Sequence, residues 1–219
     1  TGSRDCLTIP NAVPITQFMP RPKEAVRAAL GLATDKVILL FCATFVTASN
    51  KGSQYLAQAL SMLRERGHTD NVELIVIGRG AEDLAALLSG VVDVRAVGPV
   101  CDDTLMALYY AASDIMLLPS MQDNLPNIMV EAMACGLPAV GFSTGGIPDM
   151  VRDCETGLVT PAGDAAAFAR ALASLIASPE RLRKFSAAAR ELIERECAPQ
   201  VCAARYRAVY ERQLNGAQG

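Results

Sequence analysis

The chain has 219 residues, of which 51% are hydrophobic and 20% charged, a composition that excludes a disordered or low-complexity chain. No apolar run reaches the roughly 18 residues that a membrane helix needs, and the first residues show no signal-peptide pattern. The net charge of -3 argues against a general nucleic-acid-binding surface, although a local basic pocket for one phosphate group is compatible with it.

Apolar runs and helical patterns alternate along the chain. Residues 1–35 contain four prolines and are predicted to be a linker leading into a short helix at residues 23–30. Apolar runs predict strands at residues 36–43, 72–77, 91–97, 115–118, 137–142 and 158–160. Helices are predicted at residues 52–65, 82–88, 102–112 and 126–135, and the tail from Asp164 onward is predicted to be helical.

This alternation predicts an α/β fold with a doubly wound, parallel, Rossmann-like sheet and a helical C-terminal tail. We expect three parts: a linker and lead-in helix at residues 1–35, one Rossmann-like domain at 36–195, and a C-terminal helix at 196–219. In such a sheet, ligands bind at the loops that follow the carboxyl ends of the strands.

The cysteines and the single histidine limit the chemistry. Seven cysteines without a Cys-x-x-Cys pair favour buried thiols in a reducing cytosol. His68 follows a predicted helix in a polar loop, so we expect an ordinary surface residue, and a histidine-rich zinc site is excluded. The arginine-rich C-terminal helices are expected to present solvated faces.

Three loops after predicted strands could approach a ligand. Lys51-Gly52 stands at a helix start, where a lysine suits a phosphate group, although a solvated lysine is the alternative. Neither a dinucleotide fingerprint nor a Walker A loop is present there. Gly78-Arg79-Gly80 and Gly98-Pro99-Val100 either allow a close approach of backbone to ligand or form plain turns.

The segment 119–138 has the richest pattern. Asp123 follows the fourth strand, and Glu131 lies inside the next helix among apolar residues, where a carboxylate needs a partner such as sugar hydroxyls. Backbone amides at residues 124–127 would be available to an anion, whereas the alternative is a capped helix with one buried polar residue. Gly145-Gly146 is either a close-approach loop or a plain turn.

Together these segments resemble the C-terminal, donor-binding domain of the retaining glycosyltransferases of the GT-B fold, group 1 (family 4). The resemblance covers nearly the whole chain, and its most specific parts are Glu-Ala-Met-Ala-Cys-Gly-Leu-Pro at residues 131–138 and Gly-Gly-Ile-Pro-Asp at 145–149. Residues 9–13 with Phe18-Met-Pro20 are similar to the family's interdomain linker, Lys51-Gly52 to its phosphate-binding pair, and Asp123-x7-Glu131 to its Glu-x7-Glu signature.

The resemblance implies a role for each matching residue. Lys51 would bind the donor diphosphate, Asp123 would face the donor sugar, and these two would carry catalysis. Glu131 would hold the ribose hydroxyls, and the backbone near Gly98 would meet the base. The implied donor-binding residues are Lys51, Gly52, Arg79, Gly98, Val100, Asp123, Asn124, Leu125, Pro126, Asn127 and Glu131.

Two positions depart from the family pattern. Asp123 stands where the family usually carries Glu, and Phe45 stands where it often carries Arg, six residues before the lysine. Diphosphate binding is then either weaker or supported by Arg79.

By resemblance, the enzyme would transfer a hexose-like sugar from a UDP- or GDP-linked donor with retention, without metal or cofactor. We expect a preceding N-terminal acceptor-binding domain in the same polypeptide, a cytoplasmic location, no nucleic-acid partner, and membrane association only through that other half. The alternatives are a non-catalytic nucleotide-binding module that keeps this fold, and a nicotinamide-dependent oxidoreductase domain that lacks its glycine fingerprint.

Overall fold

A computed structural model describes residues 8–216 of the chain. The strands in that range are β1 Val37–Phe45, β2 Val72–Arg79, β3 Asp93–Val97, β4 Ile115–Leu118, β5 Ala139–Phe142 and β6 Gly157–Thr160. The helices are α1 Lys23–Leu30, α2 Ser53–Glu65, α3 Ala81–Leu87, α4 Asp103–Ala112, α5 Asn127–Ala134, α6 Ile147–Met150, α7 Ala165–Ile176, α8 Pro179–Glu196 and α9 Pro199–Gly216. A 3₁₀ turn at Ser49–Lys51 precedes α2.

The strands form one parallel sheet in the order β3-β2-β1-β4-β5-β6. The predicted α/β, doubly wound fold with a helical tail is therefore confirmed. The strand order reverses between β1 and β4, and in sheets of this kind the ligand crevice opens outside the carboxyl ends of the strands at that point.

Both faces of the sheet are covered by helices, because the central strands are apolar on both sides. In β1, Ile38 and Leu40 pack into one apolar layer and Leu39 and Phe41 into the other. The first layer is completed by α1, α4, α5 and α8, and the second by α2, α3 and α7. Such two-sided burial explains why the strands are continuous apolar runs rather than alternating ones.

Element boundaries differ from the predicted ones where backbone chemistry intervenes. The fifth strand begins at Ala139, not at residue 137, because the Leu137 amide closes α5 by donating to Ala132 and Pro138 has no amide hydrogen. The third begins at Asp93, because the amides of Val91 and Val92 donate to Leu88 instead. The one-turn helix α6 within the Gly-Gly-Ile-Pro-Asp loop was not predicted.

The linker packs against the domain. Val13 and Phe18 are buried, and the Arg190 guanidinium of α8 donates to the carbonyls of Ile15, Phe18 and Ala134. The expectation of a solvated face is therefore wrong for Arg190, which joins the linker to the end of α5.

The thiols divide into two groups. Cys42, Cys135, Cys197 and Cys202 are buried, as predicted, whereas Cys101 and Cys154 are exposed, which corrects the expectation for those two. Cys6 lies outside the described residues, and His68 is exposed as expected. None of the helices between residues 8 and 216 combines the length and apolarity of a bilayer-crossing segment.

Candidate functional site

Two helices begin at the point where the strand order reverses. α2 follows β1 and starts after Gly52, and α5 follows β4 and starts after Pro126; neither helix has a side-chain cap. By contrast, α4 and α7 are capped by Asp102 and Asp164. The uncapped amides of α2 and α5 place two positive helix ends at the same crevice, which favours an anion there.

Lys51 and Asp123 meet across this crevice. The Lys51 Nζ lies 2.6 Å from Asp123 Oδ2, and the two side chains are 25% and 16% exposed. A backbone hydrogen bond from Met121 to the Asn50 carbonyl joins the same two loops. The lysine predicted to bind a phosphate is thus held by the aspartate predicted to face a sugar, a contact that the sequence did not predict.

Glycines are required in these loops because the backbone there lies directly against the backbone of another loop. A Cβ on Gly52, whose φ is +71°, would overlap the Pro119 carbonyl. A Cβ on Gly145, with φ +50°, would overlap the Asp123 carbonyl, and the Gly146 amide donates to the carbonyl of Asn124. Gly145-Gly146 is therefore a close-approach loop, and what it approaches is the loop that carries Asp123.

A cleft of about 360 Å³, here called the Glu131 cleft, opens beside the ion pair between the ends of β1 and β2 and the helices α4 and α5. Arg79, Val100 and Glu131 line it, as does Pro99, whereas Gly98 is not among its lining residues. The remaining walls are largely apolar and include Ile77, Met106 and Ile128. The size and lining suit a flat aromatic group next to a few polar contacts.

Glu131 is the carboxylate of this cleft, and it is half-buried. Its Oε2 accepts a hydrogen bond of 3.0 Å from the Tyr110 hydroxyl of α4. Burial raises the pKa of Glu131, the Tyr110 hydrogen bond lowers it, and the nearby Asp103 raises it, with a net upward shift. Burial also raises the pKa of the Tyr110 phenol well above 10, so it stays a donor. Sequence reasoning missed Tyr110, although a tyrosine inside an apolar helix signals a hydroxyl that needs a partner.

Arg79 lies at the rim of the Glu131 cleft. It pairs in register with Phe45, and its guanidinium carbon lies 5.3 Å from the centre of the exposed Phe45 ring. A cation from β2 therefore stands beside Phe45, the β1 position at which the resemblance leads one to expect an arginine.

The predicted sugar-facing loop lines a different cleft. Asn124 and Leu125 line a second cleft of about 380 Å³, together with linker residue Asn11. Asn11 also donates a 2.9 Å hydrogen bond to the side chain of Asn127 at the start of α5. The linker is thus part of this edge, which the sequence did not reveal.

The chain is similar to known proteins over most of its length. Residues 36–178 match the family described as glycosyl transferases group 1. The chain is 31% identical over 189 residues to a D-inositol 3-phosphate glycosyltransferase of Geodermatophilus obscurus, covering 82% of this chain and 42% of that protein.

Two solved structures show the same fold. Sucrose-phosphate synthase from Thermosynechococcus elongatus is 28% identical with a TM-score of 0.81, covering 95% of this chain and 52% of that one. Anabaena HepE in complex with UDP and glucose is 20% identical with a TM-score of 0.77, covering 93% of this chain and 56% of that one. The chain therefore spans about half the length of these relatives, or less.

Proposed function

The chain belongs to the glycosyl transferases group 1, and from that premise we propose that it binds the nucleotide-sugar donor of a retaining glycosyltransferase. The observation that carries the proposal is the meeting of Lys51, Asp123 and two uncapped helix starts where the strand order reverses, next to a cleft that contains Glu131. The positive groups suit a diphosphate, and the largely apolar cleft with one carboxylate suits a nucleoside.

The diphosphate binds between α2 and α5. Its negative charge attracts the Lys51 ammonium and the free amides at both helix starts. The Lys51 ammonium then shifts part of its contact from Asp123 to the phosphate oxygens. The Asp123 carboxylate is left beside the sugar that is transferred. Lys51 and the helix ends stabilise the leaving diphosphate without a metal ion in this proposal.

The nucleoside occupies the Glu131 cleft. The Oε1 atom of Glu131 accepts hydrogen bonds from ribose hydroxyls, and the backbone of Pro99 and Val100 meets the base. Arg79, at the rim, contributes positive charge near the phosphates. The Anabaena protein was solved with UDP and glucose, which makes UDP the first nucleotide to test and GDP the second.

The acceptor contacts and the complete reaction belong to a longer protein in this proposal, because the curated relative is more than twice as long as its matched part. The second half would close over the donor and supply the acceptor. We propose a cytoplasmic enzyme, with any membrane contact made by that other half.

The test is calorimetric titration of the chain with UDP, GDP, uridine and NAD. We expect a nucleoside diphosphate to bind, uridine to bind more weakly and NAD not to bind. Binding of NAD alone would favour the oxidoreductase alternative, and a folded chain that binds no nucleotide would contradict the proposal.

A further inference from the structure

We propose that Tyr110 is a positioning residue for nucleotide recognition: its hydroxyl holds Glu131 in the orientation that accepts the ribose hydroxyls. The inference rests on the proposed nucleotide binding and deepens it, since the ribose contact would then depend on a side chain of α4 as well as on α5.

The phenol of Tyr110 is fixed by the core. The side chain is 1% exposed, and its ring packs against the Phe18 ring at 6.1 Å between centroids. Its hydroxyl donates to Glu131 Oε2 at 3.0 Å. A buried hydroxyl is costly without a partner, so the hydrogen bond to Glu131 stabilises the Tyr110 side chain in this position.

This hydrogen bond limits the freedom of the glutamate. Glu131 is half-buried and would otherwise turn its carboxylate among several rotamers within the cleft. With Oε2 held by the phenol, Oε1 remains available to a ligand in one defined position. Such preorganisation raises affinity by reducing the ordering cost on binding.

The same hydrogen bond favours the charged form of the carboxylate. Burial and Asp103 raise the pKa of Glu131, and Tyr110 opposes that rise. An ionised carboxylate accepts two ribose hydrogen bonds, whereas a protonated one does so less well. The titratable and charged groups around Glu131 come from α4, from the loop before it, from β1, from β2 and from the end of α5: Tyr110, Asp103, Cys101, Cys42, Arg79 and Cys135.

The experiment compares Tyr110→Phe with the parent chain, using UDP and 2′,3′-dideoxy-UDP as ligands, and GDP with its dideoxy form in parallel. Phe keeps the ring and its packing and removes only the hydroxyl. We expect UDP or GDP to bind about 3- to 10-fold more weakly and the dideoxy ligand to bind unchanged. We also expect the acid limb of the nucleotide-affinity profile to move to higher pH.

Tyr109→Phe is the matched control, because it removes a neighbouring phenol hydroxyl on the same helix. It should leave the ratio of the affinities for the ribonucleotide and the dideoxy ligand unchanged. Equal weakening of both ligands by Tyr110→Phe, or unchanged affinity for the ribonucleotide, would overturn the inference.

Glu131→Gln separates this inference from the proposed function. If Glu131→Gln lowers ribonucleotide affinity selectively and Tyr110→Phe does not, only the role of Tyr110 fails. If Glu131→Gln leaves the ratio of the affinities for ribonucleotide and dideoxy ligand as it is in the parent chain, the ribose role of Glu131 fails. The Tyr110 inference then fails with it.

Discussion

At the scale of single residues, the Lys51–Asp123 ion pair gives the crevice an internal counter-ion for its lysine. The pair is only partly exposed, so it is screened less than a surface pair, and its charges are already desolvated to a degree. In the proposed donor site, a diphosphate would compete with Asp123 for the ammonium of Lys51, which is not fully solvated. The aspartate keeps the lysine in place at the helix start, and under the proposed function it would also limit the affinity of the lysine for small anions.

Removing the lysine should therefore lower the affinity for a nucleoside diphosphate and leave the affinity for the nucleoside unchanged. Lys51→Ala is expected to weaken UDP or GDP by about 1.5–3 kcal/mol, the value of a hydrogen bond to a charged group, and to leave uridine or guanosine affinity unchanged. Calorimetry on both ligand types measures the difference. Lys36→Ala is a matched control. Lys36 directly precedes β1, away from the crevice, and its side chain is 26% exposed and paired with Asp93. An equal loss for nucleoside and diphosphate would indicate a structural lysine.

Truncating the carboxylate of the Glu131 cleft should weaken the binding of the nucleotide. Glu131→Ala removes the acceptor of the ribose hydroxyls and is expected to cost roughly 2–3 kcal/mol of UDP or GDP affinity. Because burial raises the Glu131 pKa, affinity in the parent chain should begin to fall on acidification at a higher pH than an ordinary glutamate would give. Unchanged affinity in a folded Glu131→Ala chain would refute the ribose role.

The same raised pKa has a consequence for stability. A carboxyl whose pKa is higher in the folded than in the unfolded chain contributes stability below its unfolded value, and that contribution is lost as pH rises through the folded value. Ionised Glu131 therefore destabilises the fold at neutral pH, and Glu131→Gln should raise the melting temperature at pH 7 but not at pH 4. An unchanged or lower melting temperature at pH 7 would contradict the raised pKa.

At the scale of elements, local patterns predicted most strands and helices because their signals are local. Apolar runs marked all six described strands, and Asp164 caps its helix as predicted. The α6 turn was missed because four residues after a Gly-Gly pair carry no periodicity. The pairing of Lys51 with Asp123 was beyond local reasoning, since the two are 72 residues apart and meet only because β1 and β4 are neighbours.

The junction between β1 and α2 depends on Gly52. Gly52→Ala is expected to lower the free energy of unfolding by about 2–4 kcal/mol, because it adds a backbone overlap with Pro119 to the strain of a left-handed residue. Gly67→Ala isolates the strain alone, since Gly67 has the same φ of +71° and a Cβ there would meet nothing within 4 Å. Urea unfolding of both variants measures the difference, and equal losses would show that the contact with Pro119 can relax.

At the scale of the whole molecule, the described residues form one sheet with helices on both faces and an open edge at the carboxyl ends of the strands. About 200 residues bury roughly 70% of their unfolded surface, which is enough for an independent core. The groups proposed to bind the donor all come from this one sheet edge. The chain should therefore fold and bind a nucleoside diphosphate without any other part of its polypeptide.

Binding without transfer is the last prediction. Glycosyl transfer requires donor and acceptor to be held in register and water to be excluded, and in the proposed function this open sheet edge holds the donor alone. The curated relative is matched over only 42% of its length, which leaves room for a second half that closes the crevice. We expect the chain to consume no UDP- or GDP-sugar beyond slow hydrolysis, in an assay across several donors and acceptors that includes a longer group 1 enzyme as positive control. Transfer by the chain at a rate near that of the longer enzyme would show that a single Rossmann-like half suffices.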